Sequence, residues 1–411
     1  MQIFEGRSGI LFSIPQHIMR IALFTETYLP YISGVVTHVK LLKEGLEKQG
    51  HQVLVVAADP DTRHHYIQDG VLHCPAKTLK RIYDYGLAAP YSHRRLKMLR
   101  EFHPDIIHIH TEFGVGLSAL HIAKALRVPL VYTLHTMYDE YIYYIAPRHL
   151  VPVMTRISHR YFRLFAKKAA QITGPSQKCT EYIQNDCKLN RSVNVIPNPV
   201  ELDKFQPENI TEEQKHAFRK KYGIRDDEML VCFCGRIGRE KSVDVLLDYW
   251  AQTVKPDDKM RLLIIGDGPC KPELEEQAAR LGISDMVVFT GSVPNTELPP
   301  YYASCDLYVT ASLSDTNSIS MLEAMATGLP VAHRYDKLNE GQVRSGVNGF
   351  IYYDAKGMYD IFKQYQKKTP EEKRILEHSV RESVKQAGSE NLANYLLNVY
   401  RRAVASENAE K

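Results

Sequence analysis

The sequence has few cysteines and no long hydrophobic run. Its 411 residues include seven cysteines, an odd number with no C-x-x-C pair, which predicts neither a disulfide framework nor a zinc site. This usage favours a reduced, cytosolic compartment. No stretch approaches the ~18 consecutive apolar residues that a membrane-spanning helix needs, so we expect no bilayer-spanning segment. The P-loop pattern G-x-x-x-x-G-K-[ST] is missing too, and the first strand–helix loop lacks the G-x-G-x-x-G spacing of dinucleotide-binding proteins.

The composition is that of a globular protein whose two halves differ in charge. Apolar residues make up 44% and charged residues 24% of the chain, and its length predicts two or three domains. Residues 1–199 carry 24 basic and 15 acidic side chains, a net charge of +9, whereas residues 200–411 carry a net charge of −5. Opposite charges suggest two domains, one of which prefers a polyanionic partner such as nucleic acid, an anionic membrane or a phosphorylated substrate.

Short apolar strands alternate with amphipathic helices along most of the chain, as in RIALFT, VVTHVKLLKEGLEKQG and HQVLVVAAD. This alternation is typical of parallel sheets covered by helices on both faces. It stops at Pro197-Asn198-Pro199 and then restarts. We therefore predict an α/β protein with two doubly wound, Rossmann-like domains that face each other across a cleft. The predicted parts are a poorly ordered leader or upstream start (1–18), a first domain (19–197), a second domain (200–385) and a C-terminal helix (386–411) that can cross back to the first domain.

Two loops that follow predicted strands suit an anionic ligand. The loop Glu26–Gly34 leads into a helix. The amides at the helix N-terminus favour a phosphate, and Gly34 lets the backbone approach that phosphate closely. The segment Gly235–Lys241 places Arg236 and Lys241 after the first strand of the second domain, and such cations suit a diphosphate. An ordinary strand–helix turn and a solvated basic loop are the structural alternatives.

A third candidate is the segment 314–323, which follows the predicted strand DLYVTAS. Asp315 lies in its polar loop, and Glu323 lies in the helix that follows, flanked by apolar residues. A carboxylate in such surroundings needs polar partners, and sugar or ribose hydroxyls are suitable ones. The alternative is a helix N-cap followed by a surface glutamate.

Together these elements resemble the retaining GT-B glycosyltransferases of family 4. The resemblance covers nearly the whole chain from Met19 and includes YLPYISGV, VIPNPVE, IIGDGP and FTGSVP. Three stretches, HIHTEFGVGLSA, LHTMYDEYIYYI and YDKLNEGQVRSGVNGF, are most similar to bacterial 1,2-diacylglycerol 3-glucosyltransferases. Asp315 stands where the family usually has Glu, and Pro199 stands where Gly is commoner.

The resemblance implies a role for each matching residue. Arg236 and Lys241 would bind the diphosphate of a UDP-hexose donor, Asp315 the hexose hydroxyls and Glu323 the ribose hydroxyls. The expected acceptor side comprises Glu112 and His135, of which His135 also counts among the catalytic residues. Further donor-binding residues would be Gly34, Gly235, Gly291, Val293, Asn317, Ser318 and Ile319. The resemblance implies retention of anomeric configuration. Cations and helix-end dipoles can stabilise the leaving diphosphate without a metal, so we expect no metal and no cofactor; His108 and His110 are more typical of a strand–helix loop than of a metal site.

The segment 148–170 predicts a membrane surface contact. It contains six basic and no acidic residues, interleaved with apolar ones, a pattern typical of an interfacial amphipathic helix. Nucleic acid is a less suitable partner, since no nucleic-acid-binding motif occurs. We therefore expect a peripheral protein on the inner face of the cell membrane and a lipid acceptor. The predicted membrane contacts are Arg148, Arg156, Arg160, Arg163, Lys167 and Lys168.

The leading hypothesis from the sequence is transfer of a hexose, with glucose preferred, from a UDP-sugar to diacylglycerol. A soluble or polymeric acceptor such as a phosphopolyol, or another lipid such as a ceramide or phosphatidylinositol, stays open. So do a nicotinamide-dependent oxidoreductase, which the missing glycine fingerprint disfavours, and a catalytically silent scaffold.

Overall fold

The computed structural model describes residues 18–31, 33–79, 85–137, 139, 142, 146–339 and 341–409. The predicted leader therefore lies outside the described residues, apart from Ile18. Within the described residues the strands form two separate sheets, one on each side of the predicted linker. The predicted fold class, two Rossmann-like α/β domains, is confirmed; the domain boundaries stay predictions.

The first sheet is built around a parallel core in the order β3-β4-β2-β1-β6-β7-β8-β9, with β5 paired to β4. Among the strands of the described residues, β3 and β5 run antiparallel to their neighbour β4, and the other pairs of this sheet are parallel. Its strands are β1 (Arg20–Thr25), β2 (Gln52–Asp59), β3 (Tyr66–Gln68), β4 (Val71–Leu79), β5 (Tyr85–Ala88), β6 (Ile106–Ile109), β7 (Leu130–Thr133), β8 (Gln171–Gly174) and β9 (Asn194–Val195). Its helices are α1 (Gly34–Lys48), α2 (His93–Phe102), α3 (Gly114–Leu126), α4 (Val151–Lys168) and α5 (Gln177–Glu181).

The second sheet is parallel throughout, in the order β12-β11-β10-β13-β14-β15. Its strands are β10 (Met229–Cys234), β11 (Met260–Ile265), β12 (Val287–Gly291), β13 (Leu307–Thr310), β14 (Val331–Arg334) and β15 (Gly349–Tyr352). The helices that follow the linker are α6 (Glu212–Lys221), α7 (Val243–Thr253), α8 (Lys271–Arg280), α9 (Leu298–Ala303), α10 (Ile319–Ala326), α11 (Ala355–Gln366), α12 (Pro370–Val384) and α13 (Ser389–Ala409).

Alternation along each strand divides the first domain's core into two layers. In β1, Ile21 and Leu23 pack with α1, whereas Ala22 and Phe24 face the opposite layer, which includes residues of α2, α3 and α4. This is the side-chain period of two that a strand buried on both faces requires. The second domain has one large core, which includes Trp250 of α7.

The C-terminal helix α13 crosses back and packs on the first domain. Its apolar residues share a core layer with α1, and a Cβ on Gly45 would lie 2.2 Å from the carbonyl oxygen of Ser389. The backbone of α13 therefore approaches α1 so closely that only glycine fits there. The Tyr400 hydroxyl also lies 2.8 Å from Nδ1 of His108. The first described strand, β1, and the C-terminal helix α13 thus share a core layer of the first domain.

Candidate active site

Two helix N-termini, one from each domain, meet across the cleft. Gly34 is the first residue of α1, and a Cβ added there would lie 3.4 Å from Cδ1 of Ile319, the first residue of α10. The side chains of Ser33 and Ser318 cap these helices by accepting the amides of Val36 and Met321. The N-terminus of a helix carries partial positive charge and free amides. Both ends therefore favour an anion between the domains, and the structure brings together the predicted donor-binding residues Gly34, Ser318 and Ile319.

The predicted cations lie at the same edge of the second sheet. Lys241 Nζ lies 2.5 Å from Oδ1 of Asp315, and Arg236 pairs with Glu240. Burial would raise the pKa of Asp315, but the Lys241 ammonium outweighs burial and holds that pKa below its usual range. The ion pair of Lys241 and Asp315 therefore links the segment 236–241 to the segment 312–315. Asp315 is an ionised carboxylate beside the predicted diphosphate site.

Glu323 is a buried carboxylate on α10, only 5% exposed. Its Oε1 accepts a hydrogen bond from Asn295 Nδ2 at 2.9 Å, and its Oε2 accepts one from the Tyr302 hydroxyl at 3.2 Å. Burial raises the pKa of Glu323 to about 7, against an ordinary value of 4.5. Burial disfavours the charged form of a carboxyl group. A ligand that supplies further hydrogen-bond donors would therefore stabilise the Glu323 carboxylate.

Glycines let the backbone approach closely at the ends of adjacent strands. A Cβ on Gly266, after β11, would lie 2.0 Å from the carbonyl oxygen of Gly235, after β10. Gly291 ends β12 in the left-handed region, with φ of 73°, and its carbonyl accepts the Gly266 amide at 3.0 Å. Val293 follows two residues later, partly buried against the core. Gly235, Gly291 and Val293 are thus grouped along one rim, which also contains Gly266, a residue that sequence reasoning did not assign.

The linker is tied to both domains by hydrogen bonds that sequence reasoning missed. Asn198 donates its backbone amide to Oδ1 of Asn317 and its Nδ2 to the Asn317 carbonyl, both at 2.8 Å. The Asn198 Oδ1 lies 3.0 Å from Nδ1 of His38 on α1. The Asn317 side chain, predicted to bind donor, therefore also anchors the linker next to α10. The only signal in the sequence was Asn198 itself, between two prolines.

A buried ion pair also joins the domains directly. Nζ of Lys178 on α5 lies 2.5 Å from Oδ2 of Asp336, which follows β14, and it also donates to the carbonyl of Leu313. The two side chains are only 4% and 10% exposed. A charged pair so deeply buried is sensitive to loss of either partner. Lys178 and Asp336 are 158 residues apart in sequence, and no pattern in the chain connects them.

The predicted acceptor side divides into two environments. His135, after β7, contacts Nδ1 of His110 through its Nε2 at 3.0 Å, and its carbonyl lies 3.5 Å from Oγ1 of Thr316 across the cleft. Glu112 is buried and accepts the Tyr132 hydroxyl at 2.7 Å. Tyr132 belongs to the core layer that α4 covers. The backbone of His135 therefore touches the second domain while its ring packs on His110, whereas Glu112 is held within the first domain beneath α4.

Helix α4 presents a face that is both basic and apolar. Phe162, Phe165 and Ala166 are buried against the domain, and the exposed apolar side chains are Leu150, just before α4, Val153, Ile157 and Leu164. They are interleaved with the exposed residues Arg148, Arg156, Arg160, Arg163, Lys167 and Lys168. Arg163 differs from the others, since its guanidinium donates to the carbonyls of Cys187 and Lys188. Among the described residues, no helix combines the length and apolar character needed to cross a bilayer.

Comparison with known proteins gives a consistent result along the chain. The family model Glycosyltransferase Family 4 matches residues 32–204, and the model Glycosyl transferases group 1 matches residues 214–379. Similar curated proteins include the alpha-monoglucosyldiacylglycerol synthase of Streptococcus pneumoniae, 33% identical over 96% of this chain and 88% of that protein. The synthase of the same name from Acholeplasma laidlawii is 34% identical over 81% of this chain and 85% of its own.

Solved structures show the same architecture. Anabaena HepE, crystallised in complex with UDP and glucose, matches 93% of this chain and 99% of its own length, with a TM-score of 0.69 at 18% identity. At that identity the similarity establishes the fold alone. With the two family models and the relatives above, it assigns the predicted GT-B architecture to this chain. The chain belongs to glycosyltransferase family 4.

Proposed function

We propose that this protein is a retaining hexosyltransferase that moves glucose from UDP-glucose to diacylglycerol at the cytoplasmic surface of the membrane. The observation that carries the proposal is the convergence of Lys241, Arg236 and the N-termini of α1 and α10 in one cleft, beneath a domain whose helix α4 exposes basic and apolar side chains. The names of the two glucosyldiacylglycerol synthases point to the same acceptor and sugar.

The chemistry that this cleft suits is departure of a diphosphate. In the proposed step the acceptor hydroxyl oxygen bonds to the anomeric carbon on the face that the phosphate leaves, and the carbon–oxygen bond to UDP breaks. The hydroxyl proton goes to the departing phosphate oxygen. Lys241, Arg236 and the two helix ends stabilise the negative charge that develops on UDP, as preorganised charges and dipoles do. The step as proposed requires no metal ion.

The donor site is proposed to use the two carboxylates of the second domain differently. Glu323 accepts hydrogen bonds from the ribose hydroxyls, which compensate its buried charge. Asp315, held ionised by Lys241, accepts those of the hexose. The glycine rim of Gly235 and Gly291 leaves room for the base. His135 borders the sugar and the acceptor because it lies opposite Thr316.

The direct test is product analysis with defined substrates. UDP-glucose, UDP-galactose and GDP-mannose are each incubated with the full chain and vesicles that contain diacylglycerol and phosphatidylglycerol. We expect UDP-glucose to give an α-linked glucosyldiacylglycerol, identified by mass spectrometry and by the anomeric coupling in NMR. Product on a soluble glycan alone, a β-linked product, or another preferred donor would refute the corresponding part of the proposal.

The membrane contact has its own test in helix α4. Each cation near an anionic surface contributes about 1 kcal/mol, so the variant Arg156→Glu/Arg160→Glu is expected to bind anionic vesicles at least ~30-fold more weakly. The matched control, Lys220→Glu/Lys221→Glu on α6, makes the same change of charge on the second domain. Flotation at low and high salt gives the measurement. Equal loss in both variants would indicate attraction by net charge alone.

A further inference from the structure

Three imidazoles gather on the first-domain wall of the cleft. They belong to His38 of α1, His110 after β6 and His135 after β7, and we call them the histidine cluster. One ring nitrogen from each lies within 4.8 Å of the others. His38 and His110 are 3% and 1% exposed, whereas His135 is half-buried and lies beside Thr316 of the second domain. Of the three residues, His135 is thus the least buried, and its backbone borders the second domain.

Two of these rings have a buried nitrogen that the fold leaves without a partner. Within the described part of the chain, Nε2 of His38 and Nε2 of His110 have no hydrogen-bond partner. Buried polar atoms are normally satisfied, so these two require an explanation. His108 provides the contrast, because Tyr400 and Thr133 occupy both of its ring nitrogens, at 2.8 and 2.6 Å. His38 and His110, which belong to the cluster, each have one ring nitrogen without a hydrogen bond to any described residue.

The surrounding hydrogen bonds determine which nitrogen of His38 carries a lone pair. The Nδ2 of Asn198 donates to the Asn317 carbonyl, which fixes the orientation of this amide and leaves its Oδ1 facing His38. An amide oxygen only accepts, so Nδ1 of His38 carries the proton and Nε2 the lone pair. This is the arrangement of a metal-binding histidine, whose other nitrogen donates to an oxygen in the second shell.

We propose that the histidine cluster is a binding site for Zn²⁺ or a related divalent transition metal. Imidazole nitrogen is a preferred ligand of these ions, and three histidines with an open fourth position are an established zinc arrangement. In a tetrahedral site with Zn–N distances of about 2.1 Å, the nitrogens lie about 3.4 Å apart. Nε2 is the ligand atom of His38, and His110 offers either its Nε2, unpartnered among the described residues, or its Nδ1, which lies 3.0 Å from His135 Nε2. Because the three ligand atoms lie within 4.8 Å of one another, modest shifts of the rings close the site.

If the protein has the proposed function, the bound metal inhibits sugar transfer and is not a cofactor. Coordination holds the His135 ring against the first domain, away from the reacting sugar. The metal also affects the donor side, because Asn198 forms hydrogen bonds with both His38 and Asn317, the residue next to the α10 N-cap. We therefore expect the bound metal to slow sugar transfer.

Titration of the full chain with Co²⁺, after removal of bound metals and of any affinity tag, tests the site. We expect one Co²⁺ per chain with the visible absorption of a tetrahedral ion, displaced by Zn²⁺. His38→Gln and His135→Gln should each weaken binding at least ~100-fold, since loss of a second-shell partner alone costs about 10–100-fold. His216→Gln, which alters an exposed histidine of the second domain, is the control and should bind as the unaltered protein does.

Two outcomes would overturn the site. One is Co²⁺ binding of equal strength in all variants, and the other is a sulfur-to-cobalt charge-transfer band, which would indicate the cysteines. Circular dichroism confirms that each variant is folded. The ratio of transfer rates with and without Zn²⁺ then tests inhibition and should approach one in His38→Gln. A tetrahedral site in a protein that transfers no sugar would refute the proposed function alone, whereas unaltered transfer with the site filled would refute the inhibition alone.

Discussion

Replacement of Glu323 by glutamine should make the second domain more stable and the enzyme less active. The carboxylate is buried and has two neutral donors, Asn295 and Tyr302, which do not compensate its charge, so its pKa rises to about 7 from an ordinary 4.5. Glutamine has nearly the same shape and carries no charge. It removes the desolvation penalty, but it also removes the anion that we propose accepts the ribose hydroxyls.

The magnitude and the pH dependence follow from that pKa. Each pKa unit corresponds to 1.36 kcal/mol, so the full displacement destabilises the folded protein by about 3 kcal/mol. Below pH 4.5 both states are protonated and the penalty is absent. It grows as the pH rises towards 7, because only the unfolded state then loses its proton, and it is complete above pH 7. Glu323→Gln should therefore gain about 3 kcal/mol at pH 8 and about 1 kcal/mol at pH 5.

Urea unfolding at the two pH values provides the assay. Trp250 is the single tryptophan of the chain and is fully buried in the second domain, so its fluorescence reports the domain that contains Glu323. UDP should raise the unfolding midpoint of the unaltered protein and have little effect on the variant, whose transfer rate should fall ~100-fold. A variant that is no more stable at pH 8, or whose gain is the same at both pH values, would refute this account of the carboxylate.

Three further perturbations test other parts of the cleft. Lys241→Met should lower kcat at least ~100-fold, the scale for one preorganised charge contact. The double variant Lys241→Met/Asp315→Asn leaves no unpaired carboxylate, so it should regain stability but not the transfer rate. Recovery of the rate would contradict the proposed role of Lys241. Lys178→Met should open the cleft, because separation of the domains rehydrates the unpaired Asp336 carboxylate. Small-angle scattering should show a larger radius of gyration for this variant, and the charge-preserving control Lys178→Arg should keep the radius of the unaltered protein. An unchanged radius in Lys178→Met would show that the pair does not hold the domains together. Gly34→Val should lower kcat/KM by roughly 100-fold, the cost of about 1 Å of misplacement, while Gly34→Ala is milder; equal rates for both would place the donor away from the α1 N-terminus.

Local patterns predicted the architecture because strands and helices are determined largely by residues close in sequence. The alternation of apolar strands and amphipathic helices predicted two doubly wound domains, and the two sheets confirm it. Segments at the carboxyl ends of strands must meet at one edge of a parallel sheet. This is why Lys241 and Asp315, 74 residues apart, were both expected in the cleft and are in contact.

The exposure of α4 is a feature that the sequence left open. A basic amphipathic helix can pack its apolar residues into its own domain or present some of them to a membrane. The structure buries Phe162 and Phe165 and exposes Val153 and Ile157. The helical period assigns residues to faces, but the width of the contact with the sheet decides how many of them are covered.

The sequence by itself determined the fold class, the order of the elements and the chemical character of the cleft, since all three depend on residue types at short spacing. The tertiary structure alone decided which distant side chains meet: Asn198 with Asn317 and His38, and Lys178 with Asp336. These contacts depend on how the two domains are oriented, and that orientation is set by many weak contacts spread over the chain. No local pattern encodes it.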